Sequence, residues 1–175
     1  MPTSGSYARV QGRPVVRFER TLAHPVAAVW AAITTPAELA KWFPTTFEFD
    51  ELRAGAAIEF HFPDEAYPAM AGKFVDVEPP RRLAFTWGDD ELAFELSEHD
   101  GGAGCRLRLT VVLESEDKAA RDCAGWEQCL DMLAETVAGG VPDRPPPTGK
   151  WREYFEEYKR QGLPATAWLP ESHTT

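Results

Sequence analysis

One change of hydrophobic period narrows the fold more than any other feature. From Thr45 to Leu113 apolar and polar residues alternate, and turn-forming residues interrupt the alternation at roughly ten-residue intervals. From Ser115 to Ala138 the spacing becomes helical, with Ala119, Cys123, Trp126, Leu130, Leu133 and Val137 recurring at intervals of four and three. A run of half-buried strands followed by one long amphipathic helix is the pattern of an α+β chain built on an antiparallel meander, with the helix laid across the sheet. The alternation predicts six strands, at 46–51, 56–63, 69–78, 82–88, 91–98 and 104–113. Between them stand turn residues, among them Arg53-Ala54-Gly55, Pro79-Pro80 and Gly88-Asp89-Asp90.

The flanks add further elements. Residues 15–22 alternate as a seventh strand, with Val16, Phe18 and Arg20 on one face. His24-Pro25 opens a short helix whose Val26, Val29, Trp30 and Ile33 share a face, and Thr35-Pro36-Ala37-Glu38 has the form of a capping box leading to Leu39, Trp42 and Phe43. Residues 1–13 show no apolar periodicity and are expected to be a flexible leader before one domain at 14–140. Pro142, Pro145, Pro146 and Pro147 make 141–149 a stiff connector. Thr148 is placed to cap a last helix, so 150–175 reads as a helix and tail with an aromatic stripe of Trp151, Tyr154, Phe155 and Tyr158. That stripe needs covering, by the parent domain or by a partner, a second copy included. In the long helix Glu116, Asp122, Glu127 and Glu135 are expected to face mostly outward. Gly125 inside it costs roughly 1 kcal/mol relative to Ala, which fits a close approach by backbone or ligand as well as a tolerated solvent-side glycine.

Charge excludes some partners. Eighteen Lys and Arg against 28 Asp and Glu leave a net charge of −10, the wrong sign for a phosphate backbone, so nucleic acid is not an expected partner. No apolar run reaches membrane-spanning length and the N-terminus lacks a secretory pattern, which makes the expected location cytoplasmic. Cys105, Cys123 and Cys129 lack metal or redox spacing and read as buried thiols.

Several local stretches now carry a resemblance. The run Val29-Trp30-Ala31-Ala32-Ile33-Thr34-Thr35-Pro36 with Leu39 and Trp42-Phe43 resembles the entry motif of the heat-shock-protein-90 ATPase activator branch of the START-like (SRPBCC) superfamily. Leu52-Arg53-Ala54-Gly55, residues 72–87, residues 102–107 and Gly125-Trp126 agree with the same pattern in the same order. The resemblance covers about 14–138, departing at Ala56, where the family usually has a second glycine, and in the Pro-rich aromatic tail. It implies the helix-grip fold: a curved seven-stranded antiparallel sheet wrapped around a long C-terminal helix, with two short helices after the first strand and here an extra C-terminal helix.

That fold encloses a space between sheet and long helix. The residues whose periodicity turns them inward are Trp42, Phe43, Phe60, Phe62, Met70, Phe74, Trp87, Phe94, Trp126, Leu130 and Leu133, an apolar set that suits either a packed core or a cavity for a small hydrophobic molecule. The first reading of function is therefore non-catalytic binding of a small hydrophobic, lipid-like ligand. The resemblance implies two alternatives, a chaperone-ATPase activator acting through its surface with a closed core, and a polyketide cyclase or aromatase-like enzyme; it also associates the chain with stress response. No catalytic set, metal site or cofactor motif is recognisable: the four histidines are scattered, and Glu59 and His61 share a strand face opposite Phe60 and Phe62, the face expected to meet water.

Overall fold

Alternation along the chain becomes alternation across one sheet. The computed structural model describes residues 3–143, 149–167 and 169. Its strands are β1 (Gly5–Val10), β2 (Arg13–Leu22), β3 (Thr46–Glu48), β4 (Ala57–His61), β5 (Met70–Glu78), β6 (Arg82–Trp87), β7 (Asp90–His99) and β8 (Gly104–Val112). All neighbours are antiparallel, in the order β1-β2-β8-β7-β6-β5-β4-β3, so the curved sheet is open with β1 and β3 at its edges. The helices are α1 (Val26–Thr34), α2 (Pro36–Trp42), α3 (Ala119–Val137) and α4 (Gly149–Arg160). Helix α3 packs against α1, α2, β1, β2 and α4. This is the helix-grip arrangement, with eight strands rather than seven.

The eighth strand lies where a flexible leader was expected. Gln11 and Gly12, at φ of 52° and 77°, form a two-residue turn that pairs Val10 with Arg13 and folds Gly5–Val10 back onto β2. Periodicity could not reveal it, because an edge strand is held by backbone hydrogen bonds and needs only a few apolar contacts. Two other expectations shift in detail. The strand read at 46–51 shortens to three residues. Thr35 and Ser115 stand at their predicted N-cap positions without side-chain capping bonds, and the Ser115 hydroxyl donates to Asp117 instead. The Thr148 cap and most of the proline-rich connector lie outside the described residues.

The core is dense with aromatic rings. Phe43 meets Trp42, Phe47, Phe85, Trp87 and Trp126 at centroid distances of 4.8 to 5.9 Å, mostly edge to face, the geometry that ring quadrupoles favour. The Trp42 indole N–H, fully buried, donates to the carbonyl of Ala32 at 2.9 Å and so ties α2 to α1. Three of the four stripe residues of α4 are covered within the chain: Tyr154, Phe155 and Tyr158 are buried against the parent domain, while Trp151 is half-buried.

Candidate functional site

The eleven residues predicted to line a cavity divide into two groups. Trp42, Phe43, Phe60, Phe74, Phe94, Leu130 and Leu133 are buried in the core, each at most 2% exposed. Phe62, Met70, Trp87 and Trp126 line a cavity of about 510 Å³ at one end of the sheet. The space between the middle of the sheet and α3 is thus filled by side chains, and the opening lies where the β6–β7 turn approaches the first half of α3. Pro44, following α2, and Tyr67, in the β4–β5 connection, extend its apolar wall.

Two tryptophans form the corner of this wall. Trp87 and Trp126 stand 5.6 Å apart with their planes at 68°, and the Trp87 indole N–H donates to the buried Thr45 hydroxyl at 3.1 Å, which fixes its ring. Trp151 of α4 closes one side, stacked on Phe155 at 5.2 Å. Gly125 faces the opening: a Cβ there would meet nothing within 4 Å. No backbone therefore approaches this glycine, and what the missing side chain leaves is cavity.

The rim is charged. Asp90, almost fully buried, accepts from the Glu114 backbone N–H at 2.8 Å and from Lys118 Nζ at 2.7 Å. Glu114 and Asp122 lie 3.7 and 4.0 Å from the same ammonium. Burial alone would lower the Lys118 ammonium, but these carboxylates outweigh it and hold its pKa above the usual lysine range. Asp122 behaves oppositely: burial raises its carboxyl, and the opposing pull of Arg121, 2.8 Å away, and of Lys118 does not restore it.

A second polar cluster sits at the far side of α3, on the residue least expected there. Glu127, read as outward-facing, is 0% exposed. Its carboxylate accepts from Arg20 on β2, from the Ser4 backbone N–H and hydroxyl, from the Gly5 N–H at 3.1 Å and from the Tyr158 hydroxyl at 2.5 Å. Arg20 also reaches Asp131 at 2.9 Å, and Tyr154 donates to Asp131 at 2.7 Å. One buried carboxylate thus joins β1, β2 and α4 to α3. Gly5 is required at this junction, since a Cβ would lie 2.3 Å from the Tyr158 hydroxyl and 2.6 Å from the Phe18 ring.

Burial, reinforced by the hydrogen bonds to Glu127 and Asp131, pushes the Tyr158 and Tyr154 hydroxyls far above the ordinary tyrosine range. Their folded pKa values exceed the unfolded value near 10, so their contribution is complete below pH 10 and is lost as pH rises, because the unfolded chain ionises first. Urea unfolding between pH 9 and 11.5 is expected to show stability falling by up to about 1.4 kcal/mol per pH unit for each tyrosine above pH 10. A Tyr154→Phe/Tyr158→Phe variant should start less stable and fall less steeply; an unchanged slope would refute the assignment.

Burial also raises the thiols of Cys105 and, most strongly, Cys123, in keeping with the expectation of buried thiols. Among the described residues, one group has metal-ligand spacing: Glu48, Glu59 and His61, whose ligand atoms lie within 4.8 Å of one another on the solvent side of β3 and β4. Spacing along the chain does not reveal it, because Glu48 and Glu59 meet only through strand register.

The comparison with known proteins decides the family. Residues 23–138 match the model of the family described as Activator of Hsp90 ATPase homolog 1-like protein. The chain belongs to that family. It also resembles solved structures over most of its length. The crystal structure of CalU16 from Micromonospora echinospora aligns with a TM-score of 0.69 at 27% identity, covering 91% of this chain and 96% of that one. The solution structure of the protein encoded by BPP1335 from Bordetella parapertussis gives 0.65 and 28%, covering 93% and 94%. EF2215 from Enterococcus faecalis, described as a conserved protein of unknown function, gives 0.72 over 90% and 89%, at an identity of 21% that speaks for fold alone. No curated protein matches the sequence.

The Activator of Hsp90 ATPase homolog 1-like match stops at residue 138 and begins at 23, so Trp151 and every partner of Glu127 on β1, β2 and α4 lie outside it. The structural alignments cover more residues than that segment and take in part of these flanks. Two signals could have located the cavity from sequence. Gly125 marked a missing side chain beside Trp126 in the long helix, and Trp151 began an aromatic stripe that had to land on something. Tyr67 and the rim acids gave none.

Proposed function

We propose that the protein binds a small, largely hydrophobic molecule at the end of the sheet, in the cavity bounded by Trp87, Trp126, Trp151, Met70 and Tyr67. The observation that carries this reading is the combination of a rigid tryptophan corner with a helical glycine that leaves space beside it. A side chain at position 125 would both stabilise the helix and fill the gap. The glycine leaves that volume open, and a mostly apolar concavity with a few polar groups at its edge is the usual form of a small-molecule site. The charged groups there are paired with one another, Lys118 with Asp90 and Arg121 with Asp122, an arrangement that suits orienting a ligand more than transforming it.

Gly125→Leu tests this directly. Replacing a mid-helix glycine gains up to about 1 kcal/mol of helix propensity, and the new side chain enters the cavity. Nile red, an uncharged apolar dye, is expected to fluoresce on binding the natural protein and to lose that signal in Gly125→Leu, while the thermal midpoint stays level or rises. Undiminished dye binding by a stable Gly125→Leu variant would reject the cavity as the site.

A further inference from the structure

The rim of the cavity carries more negative than positive charge. Four carboxylates, Asp89, Asp90, Glu114 and Asp122, face two cations, Lys118 and Arg121. Neither cation is in surplus: Lys118 is shared among Asp90, Glu114 and Asp122 at 2.7 to 4.0 Å, and Arg121 is engaged with Asp122. The wall below includes the two indoles Trp87 and Trp126, packed edge to face with ring centroids 5.6 Å apart. Tryptophan faces attract a cation within about 6 Å, and aromatic corners edged by carboxylates are suited to ammonium groups. The net charge of −10 gives the whole surface a field of the same sign.

We propose that this cavity selects cationic amphiphiles, taking an apolar body against Trp87, Trp126 and Met70 and an ammonium group between the indole faces and the acidic rim. The inference rests on the ligand-binding reading above and adds its charge. A fatty acid of the same length fits the apolar wall equally well, but its carboxylate would meet the rim acids. The raised carboxyl of Asp122 agrees with this, since it marks a buried negative charge that its present partners do not fully compensate.

The experiment compares three twelve-carbon probes below their micelle-forming concentrations: dodecyltrimethylammonium, dodecanol and dodecanoate. Binding is followed by quenching of tryptophan fluorescence and by calorimetry at pH 7.5. The expected order is ammonium, then alcohol, then carboxylate, with the ammonium about tenfold tighter than the carboxylate. Gly125→Leu should abolish ammonium binding, and Asp89→Lys, at an exposed turn position, should shrink or reverse the preference without loss of fold. Dodecanoate binding as tightly as the ammonium would overturn the charge assignment and leave the cavity reading standing. Ammonium binding that persists in Gly125→Leu would mean adsorption to the acidic surface, and overturns the proposal. Failure of all three probes on the natural protein would remove the ligand-binding reading and this inference with it.

Discussion

Glu127→Ala is expected to destabilise the protein by about 3–5 kcal/mol, the range for removing one member of a buried ion pair. The size follows from what is left behind. The Arg20 guanidinium would keep Asp131 and Ser4 but lose its closest carboxylate, the Ser4 N–H would lose its acceptor, and the Gly5 N–H would keep only the Tyr158 oxygen. The Tyr158 hydroxyl, completely buried, would have no acceptor in its place. Because these donors come from β1, β2 and α4, the loss should not be uniform. Amide hydrogen exchange is expected to show β1 and α4 opening together, ahead of the rest of the sheet. Chemical denaturation of Glu127→Ala beside the exposed control Glu135→Ala measures the global cost; a difference under 1 kcal/mol would show that the cluster is not coupled to stability. Glu127→Gln keeps the shape and can still accept from Tyr158, so it should fall between the two.

Phe43→Ala is expected to cost a similar 3–5 kcal/mol, the range for truncating a fully buried phenylalanine. Its second consequence is more diagnostic. Phe43 touches both the core rings Trp42, Phe47 and Phe85 and the cavity tryptophans Trp87 and Trp126. Removing it opens a void directly behind the tryptophan corner. Near-ultraviolet circular dichroism should therefore lose tryptophan signal, and affinity for an apolar probe should fall although Phe43 does not line the cavity. Phe94→Ala, equally buried and in contact with Trp42 and Phe85 but with neither cavity tryptophan, is the comparison. It should cost about as much stability and alter probe binding less. Equal losses of affinity in the two variants would contradict the role given to Phe43.

Both predictions concern residues whose type was plain in the sequence and whose place was not. Periodicity alone turns Phe43 inward. Glu127 has the sequence signature of an outward residue, because charged residues on an amphipathic helix usually face water, and a one-dimensional period carries no information about an arginine more than a hundred residues away.

The division between what the chain sets locally and what its tertiary structure decides runs along the same line. Period two and period 3.6 determine which side chains share a face, because strand and helix geometry repeat at those intervals regardless of context. That fixed the α+β class, the meander, the two short helices, the long helix and most of the buried aromatics. Where faces meet is set by strand register, by how far α3 is displaced along the sheet and by where α4 returns, none of which repeats along the chain. Those long-range placements decided that the mid-sheet space is filled by Phe60, Phe74, Phe94, Leu130 and Leu133, and that the opening lies at the β6–β7 end beside Gly125. They also turned an unpatterned leader into an edge strand, because Glu127, Arg20 and Tyr158 converge on Ser4 and Gly5 only once α3, β2 and α4 are in place.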